Sequence, residues 1–76
     1  MGYRKPKKGD VYKHFKGNLY EIVAVAKHTE TMEEMVIYRE VDGDAIYARP
    51  LDMFISKVDK EKYPEVEQVL RFEPLD

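Results

Sequence analysis

Cysteine and tryptophan are missing from this chain, and glycine and proline number four each among 76 residues. Without thiols there can be no disulfide framework, thiolate nucleophile or thiolate zinc site, so folding rests on apolar burial and hydrogen bonding. Such cysteine usage suits a reducing compartment, and a cytoplasmic location is expected. No apolar run approaches the ~18 residues of a membrane span, and the basic start MGYRKPKKGD is not followed by a signal-peptide core. Met1-Gly2 opens like a myristoylation signal, but Pro6 stands where that motif needs Ser or Thr. The scattered glycines form no phosphate cradle. Ser56 is the lone serine and has no Gly-x-Ser-x-Gly elbow around it.

A chain of this length forms one domain with a small core, and a small core rarely encloses a substrate-sized cavity. A groove or surface shelf is therefore the expected kind of site, which argues against an enzyme. The net charge of −2 hides an asymmetry. Residues 1–16 carry Arg4, Lys5, Lys7, Lys8, Lys13 and Lys16 against Asp10 alone, a surplus of +5 that leaves −7 for the other 60. Residues 1–8 read as a basic, flexible arm ahead of a single domain over 9–76, with 59–76 as a C-terminal extension. The arm could track phosphates, making nucleic acid, RNA in particular, the alternative partner.

Short segments of period two follow one another along the chain. VYKHF sets Tyr12 and His14 opposite Val11, Lys13 and Phe15, and Gly17-Asn18 then supplies a reversal. LYEIVAVAK is the longest apolar run, with Tyr20, Ile22, Ala24 and Ala26 on one face. MVIYREV sets Val36 and Tyr38 against Met35, Ile37 and Arg39, and DGD signals a hairpin into AIYAR. Pro50 ends that strand, and Leu51 and Phe54 are spaced as a 3₁₀ turn over Pro50–Phe54 requires. ISKV resumes an extended pattern. The expectation is a mainly β fold, a small SH3-like barrel of about five antiparallel strands with that turn plugging one end. After Pro64, the spacing of Val66, Val69 and Leu70 favours a short helix and then an extended segment, although VLRFE also reads as an edge strand.

The stretch AKHTETMEEMVIYRE invites a catalytic or metal reading. His28 and Glu30 form an H-x-E, but the zinc deaminases that share this pattern complete the site with cysteines, which are lacking here. His14, His28, Glu30, Glu33 and Glu34 match no metal spacing, so no metal and no cofactor are expected. What remains is recognition. Tyr12, His14, Tyr38 and Tyr47 occupy strand positions beside Arg39 and Arg49, and rings next to guanidinium groups can stack on a planar ligand while Arg clamps an anion.

These residues also carry a family resemblance. YKHFKGNLYEIVAVAKHTET, EEMVIYR, RPLDMF and the terminal RFE resemble DUF1653, a family of small bacterial proteins. The resemblance implies an SH3-type β-barrel, in agreement with the order of elements, and brings no activity with it. The family pattern covers Tyr12, His14, Phe15, Gly17, Tyr20, His28, Glu30, Thr31, Tyr38, Arg49, Pro50, Met53 and Phe54; Tyr47 stands where members commonly have tryptophan. Phe15, Tyr20, Met53 and Phe54 are explained as core, and Gly17 and Pro50 as backbone devices. His14, His28, Glu30, Thr31, Tyr38, Tyr47 and Arg49 are left as the candidate ligand-binding set of a binding module. Its expected partner is a peptide segment or a small anionic or zwitterionic ligand, with His28, Glu30 and Thr31 as one wall and Arg49 and Tyr47 near the opposite rim.

Overall fold

A computed structural model describes residues 5–75. Five strands and one helical turn follow in order: β1 (Val11–His14), β2 (Leu19–Lys27), β3 (Glu34–Glu40), β4 (Ile46–Pro50), α1 (Leu51–Phe54) and β5 (Phe72–Pro74). They form one open antiparallel sheet in the order β4-β3-β2-β1-β5. The mainly β expectation holds, and the architecture is consistent with an SH3-like barrel.

Period two assigns the inner face. Tyr12, Ile22, Val36, Tyr38, Phe54 and Phe72 are buried together, with Tyr20, Leu51 and Ile55 packed against them. The β2–β3 register slips between Ile22 and Ala24, so Ile22 pairs with Tyr38 but Val25 pairs with Val36. One extra residue reverses the side-chain alternation beyond it. Val25 thus shares the face of Ile22, and the uniform face expected of Tyr20, Ile22, Ala24 and Ala26 ends at Ile22.

The sheet is strongly curled. Three strand spacings separate β3 from β5, about 14 Å if flat, yet the Tyr38 and Phe72 rings are 5.6 Å apart. Phe54 fills the fold between them, stacked on Phe72 at 4.1 Å and meeting Tyr38 at 5.5 Å. Its burial places α1 as the plug expected after Pro50. The turn itself is α-helical rather than 3₁₀: the Ile55 N–H reaches back four residues to the Leu51 carbonyl at 3.0 Å. A three-residue bond, Ser56 N–H to Met53 carbonyl, closes it.

Two further expectations are corrected. ISKV is not the fifth strand; it makes one bridge, Lys57 to Leu70, flanked by bonds from the Val58 N–H to the Val69 carbonyl and from the Arg71 N–H to the Ser56 carbonyl. Phe72–Pro74 takes the sheet edge beside β1 instead. Nor does a helix follow Pro64; side chains and distant backbone hold that stretch instead. Lys60 Nζ donates to the Val66 and Gln68 carbonyls, and the Gln68 amide to those of Lys13, Leu70 and Arg71. Of the basic arm, residues 1–4 lie outside the described residues. Residues beyond them rest on the sheet: Pro6 is buried, and Lys5 pairs with Glu34 at 2.9 Å.

Candidate ligand-binding face

Strand pairing brings one cluster together from all five strands. Tyr38 and Tyr47 are direct cross-strand partners, as are Tyr20 and Glu40, and His14 and Phe72. Directly opposed residues share a face. Arg49, two residues after Tyr47, joins that face and reaches over it. Its Nε donates to the Tyr38 hydroxyl at 3.2 Å, and its guanidinium lies 5.7 Å from the Phe72 ring centre.

Tyr20 is the hub. Its half-buried ring meets Tyr38 at 5.3 Å, Tyr47 at 6.5 Å, Phe72 at 5.7 Å and His14 at 6.3 Å, each nearly edge to face. That geometry satisfies the ring quadrupoles and leaves the rings as an angled shelf. Tyr47, 44% exposed on the edge strand, is the open lip of the shelf.

The electrostatics of the shelf follow from its neighbours. Burial, then the charges of Arg49, Arg71 and Lys16, hold His14 down at about 4. His14 is therefore neutral at physiological pH. The Lys16 backbone N–H donates to its Nδ1 at 3.1 Å, which assigns the remaining proton to Nε2. Tyr20 is pushed up, first by burial and then by the Glu40 charge, with Tyr38 and Tyr47 adding and Arg49 opposing. Its hydroxyl thus lies in the field of an acid and a base at once.

Glu40, the cross-strand partner of Tyr20, also borders a depression of about 440 Å³ that it lines together with Lys16, Gly17, Asn18, Leu19 and Asp42. Gly17, at φ +107°, makes the tight β1–β2 reversal that forms one side. Across it, the Asn18 amide donates to Glu40 at 2.5 Å, and Gly43 passes so close that a Cβ there would lie 3.2 Å from the Glu40 side chain.

His28, Glu30 and Thr31 lie elsewhere. They form the β2–β3 turn, eight or more residues along β2 from Tyr20, about 25 Å of extended chain. Their polar atoms serve the turn. His28 Nδ1 accepts the Glu30 and Thr31 N–H groups at 3.1 and 3.4 Å, and the Thr31 hydroxyl exchanges 3.3 Å contacts with Glu33. The structure therefore unites His14, Tyr38, Tyr47 and Arg49, and leaves the turn residues as a separate unit. Among the described residues, no group of three or more His, Asp or Glu side chains is arranged to hold a metal ion.

Residues 10–74 match the sequence profile of DUF1653, described as a protein of unknown function. The chain belongs to the DUF1653 family. Its fold is similar to the crystal structure of a DUF1653 protein from Bordetella bronchiseptica, with 28% identity, a TM-score of 0.70, and coverage of 87% of this chain and 83% of that one. No curated protein matches it.

Four members of the DUF1653 shelf are absent from the sequence-based set: Tyr20, Phe72, Arg71 and Glu40. Tyr20 reads as core because it alternates with Ile22, and Phe72 lies in a segment whose pairing the sequence does not fix. Two other residues expected in the core are not there. Met53 is 52% exposed, and Phe15 packs outside the core against Tyr63 at 5.0 Å. Among the described residues, no helix is long and apolar enough to cross a membrane.

Proposed function

We propose that this DUF1653 domain is a non-catalytic, cytoplasmic binding module that takes a peptide segment or a small anionic or zwitterionic ligand on the Tyr/His/Arg shelf. The observation that carries this reading is an uncompensated positive charge set among rings. Among the described residues, neither Arg49 nor Arg71 has a carboxylate within ion-pair distance; their hydrogen bonds go to the neutral hydroxyls of Tyr38 and Ser56. Beside rings and partly shielded from water, an unpaired guanidinium attracts carboxylate or phosphate more strongly than a solvated one does. The neutral His14 Nε2–H and the tyrosine hydroxyls add donors, so the lining suits an acceptor-rich partner. An open shelf with an exposed lip also favours reversible capture over enclosed chemistry.

Benzoate, an anionic ring, is the simplest probe. Titrated into ¹⁵N-labelled protein, it is expected to shift the amides of His14, Tyr20, Tyr47 and Arg49, and Arg49→Ala is expected to abolish those shifts while keeping a dispersed spectrum. Equal shifts in the folded variant would reject this face. Nucleic acid captured by the basic arm would instead show affinity falling steeply with salt and insensitivity to Arg49→Ala.

A further inference from the structure

The shelf has a second charged end. On one side of Tyr20 stand Arg49 and the donor His14; on the other stands Glu40, its direct cross-strand partner, with Asp42 lining the same depression. The carboxylates there are as uncompensated as the guanidinium groups opposite. Among the described residues neither Glu40 nor Asp42 has an ion pair, and Glu40 is held by the neutral Asn18 amide. Lys16 lines the depression, but its ammonium is drawn away over the Phe15 and Tyr63 rings, at 5.9 and 5.7 Å. Positive and negative ends so close in a folded chain would ordinarily neutralise each other. Here the Tyr38–Tyr47 pair lies in register between Glu40 and the Val36–Arg49 pair.

We infer that the ligand is a small zwitterion with a flat or apolar centre: its carboxylate or phosphate meets Arg49 and the His14 Nε2–H, its centre lies on Tyr20 and Tyr47, and its ammonium meets Glu40 and Asp42. The inference rests on the binding reading above and adds the cationic half. An ammonium fits that end for two reasons, since a carboxylate attracts it directly and the face of a tyrosine ring attracts it through the quadrupole. The length of the ligand is bounded too. The guanidinium lies 5.7 Å from the Phe72 ring centre and that centre 5.7 Å from the Tyr20 ring, so a ligand whose anionic end sits at Arg49 reaches the Tyr20 ring within about two ring contacts, a small-molecule span. The depression bordered by Glu40 and Asp42 leaves room for the ammonium end. Gly43 fits this role: its lack of a Cβ lets the β3–β4 loop close over Glu40 and hold the carboxylate at the edge of the depression.

The test compares three probes on the intact chain by calorimetry and amide shifts: 4-(aminomethyl)benzoate, which carries both charges on one ring, and its halves benzoate and benzylamine. The bipolar probe is expected to bind roughly tenfold or more tightly than either half. Glu40→Gln, which keeps the size and the Asn18 contact, is expected to reduce it to the level of benzoate, and Arg49→Gln to that of benzylamine. Asp42→Asn, on an exposed loop, tests the same end should Glu40→Gln not fold. If benzoate matches the bipolar probe and the acidic variants are silent, the zwitterion is overturned while anion binding stands. Should benzylamine alone account for all affinity, or no probe shift the shelf, both readings fall.

Discussion

Acid should weaken this fold through His14 in a way that one substitution isolates. In the folded chain His14 takes its proton near pH 4, against 6.5 for an unperturbed imidazole. Between those values the unfolded chain holds the extra proton, so stability falls as pH descends from about 6.5 to about 4 and gains nothing back below. The full separation would amount to about 3.4 kcal/mol at about 1.36 kcal/mol per pH unit. His14 is only half-buried and water screens the cations that act on it, so about 1–2 kcal/mol is the expected share. The assay is urea unfolding of wild type and His14→Gln at several pH values between about 7 and 4. The carboxylates titrate in both proteins and cancel in the difference. The advantage of wild type over the variant should shrink by about 1–2 kcal/mol across that interval. Parallel curves would refute the electrostatic account, as would a ring titration of His14 by NMR with a midpoint at or above 6.

The core predicts a large loss at one position: Phe54→Ala should cost about 3–5 kcal/mol in urea unfolding, and a cost under about 1 kcal/mol would show that α1 is not the plug. Tyr38→Phe removes the hydroxyl that accepts from Arg49 Nε and should cost about 1 kcal/mol in the same assay, with an unchanged midpoint counting against that bond. Met32→Gly should stabilise. Met32 holds φ at +63°, a left-handed conformation that strains an L residue by about 1–2 kcal/mol, while the glycine loses about 0.5–1 kcal/mol more chain entropy on folding. A gain of about 0.5 kcal/mol is expected, and a loss would mean that Met32 makes compensating contacts.

The fold was legible where local chemistry and packing agree. Val36 and Tyr38 are buried and Gly17 turns the chain, as alternation and left-handed tolerance imply. Legibility stopped where a long-range partner decides. Nothing in LYEIVAVAK announces the bulge after Ile22, because an extra residue shows only against the register of β3. The stripe of Val66, Val69 and Leu70 has helical spacing, but Lys60 and Gln68 side chains bond the carbonyls of Val66, Gln68 and Leu70, and the Val69 carbonyl and the Arg71 N–H pair with Val58 and Ser56. Spacing reports what a segment could do in isolation. The 3₁₀ reading of α1 failed more narrowly, by one residue of hydrogen-bond reach.

The candidate site divides along the same line. Tyr38, Tyr47 and Arg49 lie on two strands joined by one loop, so their proximity follows from hairpin pairing alone. His14 joins them only because the sheet curls, carrying Phe72 and β1 toward β3. The His28–Thr31 turn has equally suggestive residue types, and its chemistry is consumed locally: an imidazole nitrogen that accepts two backbone N–H groups is closing a turn. Polar residues without a packing role are therefore of two kinds. Those whose hydrogen bonds end within three residues of chain are structural, whereas those with unpaired charge facing rings from other strands are available to a ligand. By that criterion Arg49, Glu40 and Arg71 outrank every polar residue of the turn, and Glu40, hidden in sequence among the ordinary acids of a hairpin, becomes the residue whose substitution separates a zwitterion from a simple anion.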